Sequence, residues 1–214
     1  MPTEPCPFTE LIAIRHGQTD ANSDGRLQGH FDSPLDPEGV RQAECLARRL
    51  QSEQFDALYC SDLIRAVTTA AIVGQACGLR PESLPELREW HMGELENRRY
   101  EDLRRTHPEI MNGFKFDAAD LHIPGGETKT AFYRRIGAVM DQLAERHPGG
   151  RILVVTHGGV LQAMLKHVLG KGNSWNFLPR SANVGYNLFL RRPEGWQLGC
   201  WNDTSHVNGV KDAL

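Results

Sequence analysis

Three places in the chain set basic or imidazole side chains at or just beyond the end of a short apolar run. Arg15-His16-Gly17 follows Leu11–Ile14, and His157-Gly158-Gly159 closely follows Ile152–Val155. Arg65 lies one turn into the helical pattern that begins after Ala57–Cys60. Guanidinium forks match phosphate oxygens better than ammonium groups do. Free backbone amides at helix N-termini attract the same anions. Two arginines, two histidines and such amides together describe a pocket for a tetrahedral oxyanion. One histidine at a strand end is more often structural than chemical; three ends carrying one kind of chemistry point to a shared ligand.

The elements that must bring these ends together share one grammar: an apolar run, a polar punctuation, then a helical pattern. Asp36 is placed to cap the first helix, with Pro37 in its first turn and Val40, Ala43, Leu46, Ala47 and Leu50 at helical spacing. Ser61-Asp62 reads as the cap of a second helix, and Val160, Leu161, Met164, Leu165 and Val168 mark a third. The expected fold is α/β: a largely parallel, doubly wound sheet with helices on both faces. Ligands of such sheets sit beyond the carboxyl ends of the strands. Residues 80–150 read as a helical cap insertion. They open on Pro81 and Pro85, include a helical piece at Tyr100–Arg105, and close on Pro124-Gly125-Gly126 and a long helix from Glu127 to Arg146. Val184–Leu190 and Trp196–Trp201 read as a terminal hairpin whose edge is able to pair with a second subunit, so a homodimer stays open. The chain, 1–214, is expected to be one domain.

Composition narrows the partners. Charges sum to −3 over 214 residues, so no polycation is aimed at nucleic acid. No apolar run approaches a membrane span, and Met1–Pro7 lacks a basic-then-apolar leader. Five widely spaced cysteines without a CxxC pair read as small hydrophobes plus one loose thiol near the terminus, consistent with a cytoplasmic protein. Nine histidines include no HxH or HExxH spacing, so His107, His122, His147, His167 and His206 read as solvated or capping groups and no metal is expected. A phosphate-binding GxxxxGK[ST] loop is absent too, and no cofactor is expected.

The ordered motifs resemble a family. Arg15-His16-Gly17-Gln18-Thr19, with Asn22 behind it, resembles the RHG signature of the histidine phosphatase superfamily, the phosphoglycerate mutase-like proteins. The likeness continues through Gln28-Gly29, Pro34–Gly39, Ser61–Ala66, Leu87-Arg88-Glu89, Pro124–Thr128 and Val155–Gly159. It implies a metal-independent phosphomonoesterase that passes phosphate through His16. A neutral imidazole nitrogen attacks phosphorus without first losing a proton. Arg15, Arg65 and His157 then stabilise the equatorial oxygens, and Asn22, Gln28, Gly29 and Gly158 bind the substrate. Glu89 is the matching acid for the leaving alkoxide and, once ionised, the base for water; read without the family it is an ordinary exposed carboxylate. Nearby phosphate charge favours its protonated form.

Two departures separate the chain from the cofactor-dependent mutases it also resembles: His30 stands where they carry Trp, and Trp90-His91-Met92 where they resemble Arg-His-Tyr. A phosphatase is therefore preferred over a mutase-type phosphotransferase, and over a catalytically inactive phosphate-binding module. Asn97 stands where many of the phosphatases place Gly. The expected substrate is a small phosphorylated metabolite, with Arg98, Arg99, Arg104, Arg105 and Lys115 offering charge from the middle segment or simply forming a solvated face.

Overall fold

The structure, a computed structural model, describes residues 8–115, 121–170 and 179–207. Strand β1 (Thr9–Arg15) is followed by a short helix α1 (Asp20–Ser23) and by α2 (Pro37–Leu50). Next come β2 (Ala57–Cys60), α3 (Ile64–Cys77) and a two-residue β3 (Glu82–Ser83). Helices α4 (Tyr100–Thr106), α5 (Pro108–Lys115) and α6 (Lys129–Arg146) fill the middle. The chain returns through β4 (Arg151–Thr156) and α7 (Gly158–Leu169) to β5 (Tyr186–Arg192) and β6 (Gly195–Asp203).

These strands form one mixed sheet in the order β3-β2-β4-β1-β5-β6. The β1–β4, β4–β2 and β2–β3 pairs are parallel; β5 runs antiparallel to β1, and β6 to β5. The C-terminal hairpin thus forms as expected, with β6 at an edge of the sheet. Alternation along the central strands feeds two cores. Leu11, Ala13, Ile152 and Val154 face Phe132, Ile136, Val160 and Leu161 of α6 and α7. Ile12, Ile14, Leu153 and Val155 face Leu46, Leu50, Ala66 and Val73 of α2 and α3. Each of these larger side chains contributes about 1.5–3 kcal/mol through burial. Among the described residues no helix is long and apolar enough to cross a membrane.

Local signals behave unevenly. Asp36 caps α2 as its spacing demands, accepting the Gly39 amide at 2.7 Å with Pro37 in the first turn. Ser61-Asp62 does not cap α3 by side chain. That helix starts at Ile64 with Leu63 as its boundary, and its first amide is taken at 2.8 Å by Asp32, 32 residues earlier in the chain. Asp62 instead pairs with Arg88, whose guanidinium holds the carboxyl below its ordinary range. The long helix begins at Lys129 under a Thr128 cap, two residues later than the periodicity suggests. Strand β3 went unread because two residues cannot show a period of two. Of the described cysteines only Cys60 is buried, while Cys45, Cys77 and Cys200 are half-buried; Cys6 lies outside the described residues. His147 bonds to the Tyr59 hydroxyl and His206 to Arg49, and no group of three or more His, Cys, Asp or Glu among the described residues could hold a metal ion.

Candidate active site

The β1, β2 and β4 ends meet as the sequence predicts, because β4 lies between β1 and β2 with its own end in register. His16 follows the last residue of β1 and donates its amide to Thr156 O at 2.9 Å. Its ring is 3% exposed. Nδ1 lies 2.7 Å from the Gly17 carbonyl, which can only accept, so Nδ1 carries the proton and Nε2 keeps its lone pair. Burial, followed by the charges of Arg65 and Arg15, pushes the His16 pKa well below 6.5. The imidazole is neutral at physiological pH, with an unprotonated nitrogen available.

His157 complements it. Its fully buried ring lies edge-on to that of His16, with centroids 5.2 Å apart. Arg65 Nε donates to His157 Nδ1 at 3.2 Å, which puts the ring proton on Nε2. That Nε2 is buried and has no hydrogen-bond partner among the described residues. Burial, then Arg65, His16 and Arg15, holds this histidine too well below its ordinary pKa. A buried ring donor thus sits beside a ring with an unprotonated nitrogen, an arrangement chemically suited to an anion.

Arg65 is 1% exposed and is fixed by more than His157. Its Nη1 and Nη2 donate to Phe31 O at 2.9 Å and Gly29 O at 2.7 Å. Gly29 turns there at φ +55, and a Cβ would meet Glu96 Oε1 at 2.4 Å. Burial lowers the guanidinium to about 10, still charged at neutral pH. Arg15 reaches Ser181 O at 2.7 Å. The Gly17 turn sits tight against α2, where a Cβ would lie 2.4 Å from Gly39 O, so the glycine is required for close approach.

Glu89 enters from the loop after the 3-10 turn Pro85–Leu87. Its carboxylate accepts the Gly159 amide of α7 at 2.9 Å and the Trp90 amide at 2.9 Å. One cavity of about 670 Å³ is lined by Arg15, His16, Arg65, Glu89 and Gly158. Asn22, Gln28 and Gly29 also line it. Asn22 uses its oxygen in a capping box with Thr19. Gln28 Oε1 is buried without a partner among the described residues. His157 is not itself among the lining residues; it adjoins the cavity through its ring contact with His16, which is. Arg98, Arg99, Arg104 and Arg105 do not line the cavity, and Arg105 is paired with Asp102. The Lys115 side chain lies outside the described residues.

Several supports had no signal in the sequence. Asn183 Nδ2 donates to His16 O at 2.8 Å, and Thr69 Oγ1 accepts the Gly17 amide at 3.1 Å. His30 and Glu96 brace the Glu89 loop: His30 Nε2 bonds to Glu89 O at 2.8 Å, and Glu96 accepts the His30 and Met92 amides. Asn97, the departure noted above, adopts φ +60, the left-handed region that asparagine tolerates best after glycine. Its Oδ1 accepts from Arg26 Nη1 at 2.8 Å.

Fold and site define an α/β protein with a pocket lined by Arg15, His16, Arg65 and Glu89 at the ends of its parallel strands. The chain belongs to the histidine phosphatase superfamily (branch 1), whose family model matches residues 11–204. A metal-independent phosphoserine phosphatase of Arabidopsis thaliana is 36% identical over 206 residues, covering 94% of this chain and 84% of that protein. The same plant's phosphoglycerate mutase-like protein 4 is 33% identical over 209 residues, covering 96% and 90%. The solved structure of a mycobacterial glucosyl-3-phosphoglycerate phosphatase complexed with VO3 is similar at TM-score 0.82 and 28% identity, covering 91% of this chain and 99% of that one.

Proposed function

We propose that this protein is a metal-independent phosphomonoesterase that hydrolyses a small phosphorylated metabolite through a phosphohistidine on His16. The observation that carries the reading is the tautomer pair. Gly17 O fixes the His16 proton on Nδ1, and Arg65 fixes the His157 proton on Nε2. One ring offers a lone pair and the other a hydrogen-bond donor, side by side in one pocket. In the first half-reaction His16 Nε2 forms the N–P bond as the ester P–O bond breaks, and Glu89 gives its proton to the departing alkoxide. Arg15, Arg65 and His157 hold the equatorial oxygens throughout. In the second, Glu89 takes a proton from water, whose oxygen bonds to phosphorus as the His16 Nε2–P bond breaks, releasing inorganic phosphate and restoring the Nε2 lone pair. Asn22, Gln28, Gly29 and Gly158 contact the substrate. The described residues of the 80–150 segment serve as the cap over this site, supplying Trp90, Met92, Met111, Phe114, Phe132 and Tyr133 to the cavity lining.

Relatives named for phosphoserine and glucosyl-3-phosphoglycerate support a phosphatase, as does His30 in place of the mutase Trp. The test is turnover of p-nitrophenyl phosphate in EDTA, with isolation of an alkali-stable, acid-labile phosphoenzyme. His16→Ala should fold and form none. Phosphoenzyme persisting in that variant refutes the assignment. 3-Phosphoglycerate with its bisphosphate cofactor provides the mutase comparison.

A further inference from the structure

We propose that Arg135, locked to Glu127, is a positioning residue that aims Glu89 at the leaving group without itself touching substrate. The inference rests on Glu89 being the acid. The loop that carries Glu89 joins a 3-10 turn at Pro85–Leu87 to another at Gly93–Leu95 and pairs with no strand. Its carbonyls therefore need donors from elsewhere. Arg135, on the second turn of α6, supplies them. Nη1 donates to Glu86 O at 2.7 Å and Arg88 O at 2.9 Å. Nη2 donates to Glu89 O at 3.4 Å, a long contact reinforced by His30 Nε2 on the same oxygen.

The other two donors go to one carboxylate. Nε meets Glu127 Oε1 at 3.1 Å, and Nη2 meets Glu127 Oε2 at 2.7 Å. All five N–H groups of the guanidinium are thus used, three on the acid's loop and two on Glu127. Glu127 grips the same loop by its backbone. Its amide donates to His91 O at 3.0 Å, and its carbonyl accepts Trp90 Nε1 at 2.7 Å. The guanidinium also lies 5.2 Å from the centre of the Phe132 ring. Neither Arg135 nor Glu127 lines the cavity. Lysine, with three donors on one point charge, cannot reproduce a fork that spans three carbonyls and a carboxylate.

The experiment compares kcat/KM for p-nitrophenyl phosphate and for glycerol phosphate in the wild type, Arg135→Lys, Glu127→Gln and Glu89→Gln, with a thermal melt of each. This parameter covers the steps up to leaving-group departure, where an alkoxide needs a proton and a nitrophenolate does not. Arg135→Lys is expected to lose about 30-fold or more on the alkyl ester and under about 3-fold on the aryl ester, within the range of general acid catalysis. The pH profile for the alkyl ester should shift while the aryl profile stays in place. Glu127→Gln, nearly isosteric, should move the same way by less, and it decides the matter if Arg135→Lys melts below the assay temperature. Equal losses on both esters with unmoved pH profiles overturn the proposal and leave the acid assignment standing. If Glu89→Gln shows no split between the esters while His16 is still phosphorylated, the acid assignment fails and the positioning role fails with it.

Discussion

Gly159→Ala separates stability from catalysis in one substitution. Gly159 is the second residue of α7, and its amide holds Glu89 Oε2. A Cβ built there has the Glu89 carboxylate as its three nearest atoms, Oε1 at 2.3 Å, Cδ at 3.1 Å and Oε2 at 3.3 Å. The carboxylate must therefore retreat by about 1 Å to reach ordinary contact distance. It is the tip of a flexible side chain, so the fold accommodates the move. Alanine also favours the helix by roughly 0.5–1 kcal/mol relative to glycine. The variant should melt at or above the wild-type temperature. A misplacement of about 1 Å at a reacting group removes on the order of 10²-fold in rate. The expected loss therefore falls on kcat/KM for an alkyl phosphate, with much less on an aryl phosphate, measured by phosphate release beside a urea melt. Wild-type alkyl-ester turnover in a well-folded Gly159→Ala protein would refute the role given to Glu89. So would an equal loss on both esters.

Arg65→Lys should cut kcat/KM about 10²-fold or more and weaken inhibition by inorganic phosphate, because a lysine cannot serve Gly29 O, Phe31 O, His157 and a phosphate at once; unchanged phosphate inhibition would contradict the site. His16 and His157 are held neutral when folded but titrate near 6.5 when unfolded, so the unfolded chain binds more protons below that pH. Stability is complete above about pH 6.5 and falls as pH drops below it, by up to about 1.4 kcal/mol per pH unit for each histidine. Urea melts at pH 7.5, 6.5 and 5.5 measure this, and His157→Gln should shallow the slope; a flat wild-type profile would refute it. Asn97→Ala should cost about 1–2 kcal/mol at its positive φ, whereas Asn97→Gly should change little, as read by urea melts.

The sequence exposes the longer strands, the strand-end chemistry and the α2 cap because each is local. Leu11–Ile14 and Ile152–Val155 are continuous apolar runs, and Asp36 acts three residues along the chain. What it hides acts across distance. No local pattern links Asp32 to the start of α3, Asn183 to His16 O, or Arg135 to the Glu89 loop. Glu89 itself is invisible to periodicity and becomes legible only through the family likeness. The tautomers of His16 and His157 depend on a carbonyl and a guanidinium whose positions only folding supplies. Arginines 98, 99, 104 and 105 look suited to a substrate in one dimension, yet none of them lines the cavity in three.

The placement of β1 between β4 and β5 has a bearing on how the protein comes into being. The strand leading to His16 is made well before its two neighbours, Arg151–Thr156 and Tyr186–Arg192, leave the ribosome. Contacts so far apart along the chain are slow to form. A nascent polypeptide stalled before residue 150 would carry His16, Arg15 and Arg65 but neither strand that flanks β1, so these side chains are gathered only after residues 151–192 have been translated.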